Sequence, residues 1–98
     1  ADAIHPAVLK LIDQTVSAAH AKNKHVSICG ELGSDIQALP VLLGLGIDEI
    51  SVSISALAKV KALIRTLSLP DCKKIAQVAL QCTTAAEVRH KIKQLSNN

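Results

Sequence analysis

Two short runs rich in β-branched residues, His25–Gly30 and Ile47–Ser53, are separated by one helix-length segment. In the first, Val26 and Ile28 alternate with Ser27 and Cys29. In the second, Ile50 and Val52 alternate with Ser51 and Ser53. This period of two reads as strands. A strand–helix–strand order calls for parallel strands joined by a right-handed crossover. Parallel sheets are normally covered on both faces and extended on both sides, so two such strands do not make a stable sheet alone. A complete (β/α)8 barrel takes roughly 250 residues, and this chain has 98. The pattern predicts α/β architecture and a fragment of something larger, without an internal repeat or linker to mark a domain boundary.

The helices are predicted around the strands. Val8, Leu9, Ile12, Val16 and Ala19 recur at helical spacing from Pro6 to about Lys22, with Pro6 in the first turn and His5 at the boundary. A second helix runs through Pro40, Val41, Leu42, Leu43 and Leu45, closed by Gly46. Ser55 is placed to cap a third, with a stripe of Leu57, Val60, Ile64 and Leu67. Pro70 opens a fourth, with Cys72, Ile75, Ala79 and Cys82 on one face. The last carries a capping box, Thr84 then Glu87, and a stripe of Val88, Ile92 and Leu95.

Half the residues are apolar (49%), yet Phe, Tyr, Trp and Met are absent. The core must be built from aliphatic side chains, and aromatic stacking on nucleic-acid bases is excluded. The net charge of +3 is modest, and the basic end at Arg89, His90, Lys91 and Lys93 reads as a solvated helix face. No apolar run approaches the ~20 residues of a membrane span, and no secretory signal opens the chain. Three cysteines without metal-ligand spacing argue against a disulfide framework and for a reducing, cytoplasmic setting. His20 and His25 have no spacing partner for a metal. Asp48 and Glu49, in a loop before a strand, read as solvated.

Position singles out Cys29. It lies at the C-terminal end of a predicted parallel strand, before a loop containing Gly30 and Gly33, where active-site groups gather in α/β sheets. By position alone it is either a site residue or a cysteine that simply packs. Cys72 and Cys82, on a buried helical stripe, read as small hydrophobes.

Cys29-Gly30-Glu31-Leu32-Gly33-Ser34-Asp35 resembles the Cys-Gly-Glu-Leu segment of the Enzyme I family of phosphoenolpyruvate-protein phosphotransferases. His5-Pro6-Ala7-Val8-Leu9 before it, and Leu42-Leu43-Gly44-Leu45-Gly46-Ile47-Asp48-Glu49-Ile50-Ser51-Val52-Ser53 after it, match at the family's spacing. The similarity runs from about Ile4 to Arg65. Pyruvate phosphate dikinases share Cys-Gly-Glu but typically have His next, so Leu32 favours Enzyme I.

The resemblance implies that residues 1–98 form the C-terminal part of a phosphoenolpyruvate-binding (β/α)8 TIM-type barrel, its last two strands and about five helices. It implies a site for phosphoenolpyruvate and magnesium, with the phosphoryl group passing to a histidine on an N-terminal domain and then to HPr, feeding sugar uptake. Cys29 matches the family's proton donor to the enolpyruvate carbon, and an ordinary thiol (pKa about 8.5) is protonated at neutral pH. Gly30, Glu31 and Gly33 are expected to shape the loop. The family's metal-binding carboxylates, phosphate-clamping arginines, Gly-Thr-Asn-Asp segment and phosphorylated histidine are not found in this sequence, so the chain alone is expected to be inactive and to self-associate. The alternatives are a dikinase fragment and a small helical module that binds protein or nucleic acid.

Overall fold

A computed structural model of the chain describes residues 4–28 and 35–96. Helix α1, Pro6–Ala21, begins where His5 Nδ1 accepts the amide of Ala7 at 3.0 Å and Pro6 fills the first turn. It buries Leu9 and Val16. Strand β1, Ser27–Ile28, pairs in parallel with β2, Glu49–Ile50, in the register Ser27–Glu49 and Ile28–Ile50. Between them, among the described residues, a 3-10 turn, Ile36–Ala38, leads into α2, Leu39–Leu45. Three helices follow: α3, Ile54–Thr66; α4, Leu69–Leu80; and α5, Ala85–Ser96. The architecture is α/β and mostly helical, with two parallel strands and five α-helices among the described residues.

Strand β2 starts later than its alternation predicts, and the reason lies in the end of α2. Gly46 takes a left-handed conformation (φ 97°). Its amide reaches the Leu43 carbonyl and the Ile47 amide reaches Leu42. This is a Schellman ending, and it commits Ile47 to the helix cap. The sheet therefore starts at Glu49, which opens β2 instead of lying before it. Ile47 and Leu42 still bury together in the core, the apolar contact that accompanies such a cap.

The core is aliphatic throughout. Helix α2 is its centre, with Leu39, Pro40, Val41, Leu42 and Leu45 all buried. Against it pack Leu9 and Val16 of α1, Ile75, Ala76 and Ala79 of α4, and Val88 and Ile92 of α5. Helices α2 and α4 approach closely at Gly44, where a side chain has no room beside Cys72 and Ala76. Thr84 Oγ accepts the Glu87 amide at 3.1 Å, as the capping box requires, and Glu87 returns a bond to the Thr83 amide at 2.9 Å.

Three local expectations are corrected. Ser53, not Ser55, stands at the N-cap of α3, and its hydroxyl lies 3.1 Å from that of Ser55. Helix α4 ends at Leu80, so Cys82 lies beyond it; it is nevertheless buried, its thiol donating to the Val78 carbonyl. Leu67 is the C-cap of α3, and of the predicted stripe only Val60 is buried. Leu57 and Ile64 are 40% and 41% exposed, and Ile54 is 92% exposed. The apolar face of α3 is therefore largely uncovered.

Candidate functional site

In a parallel sheet the carboxyl edge is where side chains from different strands converge with the loops that follow them. Here that edge is formed by Ile28 and Ile50. It is secured where the Ser51 amide donates to the Ile28 carbonyl at 2.8 Å. Cys29 is the next residue in the chain. Cys29, Gly30, Glu31 and Gly33, the residues singled out for chemistry and loop shape, all lie outside the described residues. The structure brings the strand to Ile28 and resumes at Asp35.

Asp35 is held on both carboxylate oxygens. Oδ1 accepts the Gln37 amide at 3.1 Å, capping the 3-10 turn. Oδ2 accepts from Arg89 Nη2 at 3.0 Å, and Arg89 Nη1 donates to Gln37 Oε1. These groups are about two thirds covered, with Arg89 and Asp35 side chains 31% and 29% exposed. A guanidinium suits this arrangement, because its planar fork can serve two acceptors at once. Arg89 thus departs from the solvated face predicted for the basic end. Sequence reading gave no signal for the contact, since the partners stand 54 positions apart.

The opposite edge of the sheet carries a second cluster. Asp48 Oδ2 accepts the Val26 amide at 2.8 Å and lies 2.7 Å from His20 Nε2. The hydrogen bond with His20, and then that from Val26, hold the Asp48 carboxyl below its usual range. Asp48 is exposed as predicted, but it is not merely solvated: it joins the end of α1 to both strands. At the amino edge of parallel strands, such a group bears on stability more than on catalysis.

Cys72 and Cys82 are buried free thiols. Burial raises both above the ordinary thiol range, reinforced by Asp71 at Cys72 and by Glu87 at Cys82. They are held neutral and pack as small hydrophobes, as expected. No group of three or more His, Cys, Asp or Glu side chains is disposed to hold a metal among the described residues. The described residues do not fit a magnesium site.

An apolar groove of about 250 Å³ runs along α1 and the flank of β1, lined by Leu11, Ile12, Thr15, Val26, Ile28 and Ile47. A larger one, about 460 Å³, lies between α3, α4 and α5, with Leu63, Leu67, Asp71, Ile92 and Lys93 in its walls. Among the described residues no helix is long and apolar enough to cross a membrane.

Two parallel strands packed with helices define the class as an α/β domain. The family described as "PEP-utilising enzyme, PEP-binding domain" matches residues 1–69, and the chain belongs to that family. It is 51% identical over 89 residues to the multiphosphoryl transfer protein of Rhodobacter capsulatus, covering 91% of this chain and 11% of that protein. It is 44% identical over 91 residues to the phosphoenolpyruvate-protein phosphotransferase of Haemophilus influenzae, covering 93% and 16%. With the phosphoenolpyruvate-protein phosphotransferase of Staphylococcus carnosus it shares 39% over 94 residues, covering 96% and 16%. The chain therefore spans between about a tenth and a sixth of the length of these relatives.

Proposed function

We propose that the chain is the closing part of the phosphoenolpyruvate-binding (β/α)8 barrel of a phosphoenolpyruvate-protein phosphotransferase, and that it supplies the acid that completes the reaction. The observation that carries this reading is identity of 39% to 51% with protein phosphotransferases across more than nine tenths of the chain. The fold is consistent with it. Two parallel strands, an apolar groove beside β1 and an uncovered face on α3 are what remains when neighbouring barrel units are removed.

The chemistry proposed for Cys29 follows from the resemblance of its segment and from its place just beyond β1. As the phosphorus–oxygen bond of phosphoenolpyruvate breaks, the phosphoryl group is taken by a histidine nitrogen on an N-terminal domain, for onward transfer to HPr. The enolate left behind closes to a carbonyl, its electron pair forms a carbon–hydrogen bond at the methylene carbon, and the Cys29 S–H bond breaks. Pyruvate leaves, and the thiolate regains a proton from water. A neutral thiol is a far stronger acid than a serine hydroxyl and is suited to this step. Gly30, Glu31 and Gly33 shape the segment around it. Magnesium, where the full-length protein binds it, would supply charge neutralisation at the phosphate, with ligands supplied from beyond this chain. The setting is cytoplasmic, and the sugar phosphotransferase system is the pathway.

The test is Cys29→Ala in the full-length protein. Exchange of pyruvate methyl protons with solvent deuterium should fall by about 10²–10⁴-fold, the usual worth of general acid–base help, while phosphoenolpyruvate binding changes little. Exchange continuing near the wild-type rate would assign the proton to another group.

A further inference from the structure

Helix α1 is held by a histidine at each end, and the two rings make opposite demands on a proton. At the start, His5 Nδ1 accepts the Ala7 amide at 3.0 Å. A backbone amide only donates, so this ring nitrogen must be free of hydrogen. At the end, His20 Nε2 lies 2.7 Å from Asp48 Oδ2. An ionised carboxylate only accepts, so this ring nitrogen must carry its hydrogen. We infer that the first turn of α1 is a pH-sensitive element: protonation of His5 opens it, while His20 keeps the last turn tied to Asp48 through the same change.

An imidazolium has a hydrogen on both nitrogens and no acceptor, so a proton on His5 abolishes the cap. It also sets a positive charge at the positive end of the helix dipole, and the first turn holds no acidic residue to offset it. At the other end the same proton leaves the Nε2 hydrogen in place. It adds attraction to the carboxylate and suits the negative end of the dipole, where His20 is the basic group of the last turn. The sheet brings Glu49 and His25 to this end besides Asp48, and His25 bears on the Asp48 charge. Helix α2 carries no titratable side chain, and α1 itself adds Lys10 and Asp13. Helix α4 adds Asp71, Cys72, Lys73 and Lys74, and among the described residues none of its side chains bonds to His5 or His20. His5 is exposed, so the proton reaches it directly from solvent. The turn it caps is built into the core: Ile4 and Leu9 are fully buried, and the Val8 and Leu9 amides bond to the His5 carbonyl. Opening that turn uncovers apolar surface at one end of α1 only.

The experiment reads amide hydrogen exchange of the full-length protein by mass spectrometry, resolved to single amides and corrected for the intrinsic effect of pH. It runs between about pH 8 and pH 5, the range in which imidazoles ordinarily gain a proton. Protection at Ala7, Val8 and Leu9 should fall by about fivefold over that range, the usual worth of an N-cap. Protection at Lys22, Asn23 and Lys24, whose amides close the last turn, should hold or rise. In His5→Asn the cap oxygen does not titrate, so protection of the first turn should stay high and flat with pH. In His5→Ala it should be low and flat. A first turn whose protection ignores pH in the wild type would overturn the inference. So would an equal fall persisting in His5→Asn, or a last turn that loosens in step with the first, since either would mean that acid acts on the helix as a whole.

Discussion

Gly44 faces the backbone carbonyl of Cys72 so closely that a β-carbon added to it would stand 2.1 Å from that oxygen. The contact lies where α2, the centre of the core, meets α4. Backbone on one side cannot move as a flexible side chain can. Gly44→Ala should therefore force the helices apart and cost about 3 kcal/mol, the upper end of ordinary overpacking. Denaturant midpoints of the wild-type and substituted protein check this, and an unchanged midpoint would show that the two helices are free to separate.

The Asp48 cluster predicts an acid dependence with a definite sign. The carboxyl is held below the ordinary aspartate range in the fold by the hydrogen bonds with His20 and Val26. A depressed carboxylate contributes stability that is present above its unfolded value and lost as pH falls through the folded one. Asp48→Asn should be less stable than wild type near neutrality. The gap should narrow as pH drops below about 4, the unfolded range for aspartate. Stability curves for both proteins between pH 2 and 7 check it, and a gap independent of pH would remove the charge from the account.

The uncovered face of α3 predicts association. Ile54, Leu57 and Ile64 recur at spacings of three and seven and are all exposed. The isolated chain should self-associate in a concentration-dependent way, because exposed apolar surface and open strand edges seek partners. Light scattering across a dilution series reads this out. Leu57→Gln together with Ile64→Gln should shift the equilibrium toward monomer, whereas a wild-type chain that stays monomeric would mean the face needs no cover.

The isolated chain should not transfer phosphate from phosphoenolpyruvate to HPr, with or without magnesium. Phosphoryl transfer relies on positioning and charge stabilisation, and the described residues gather no metal-binding cluster. Radiolabelled phosphoenolpyruvate mixed with the chain and HPr is the check. Label on any of its four histidines would reverse the expectation.

What could be read from the sequence followed from how local each feature is. The caps at His5 and Thr84, the glycine ending α2 and the burial of Val88 and Ile92 depend on residues within a turn or two, and they stand where spacing put them. The Cys29 segment was legible by its likeness to a family, and that family is confirmed over residues 1–69. The start of β2 was not, because the Schellman bond of Ile47 competes with the ladder and alternation does not report it. Nor were the two polar clusters. Asp48 with Val26 and His20, and Asp35 with Arg89, join residues 22 to 54 positions apart. Only the folded backbone brings them within reach, and charge patterning assigned Asp48 and Arg89 to solvent.

The span of the Asp35–Arg89 pair also orders events in time. Chain synthesis adds about 5–20 residues per second, so Arg89 is made roughly 3 to 11 seconds after Asp35. In that interval the nascent chain holds Asp35 and Gln37 but not the guanidinium that bonds to them. A polypeptide released early, anywhere before α5, would carry the 3-10 turn and α2 and still lack the ion pair that ties that turn to the last helix. Closure of the core over the 3-10 turn is in this way tied to completion of the last helix, and a prematurely terminated product should lack the packing of Val88 and Ile92 even where its earlier elements have folded.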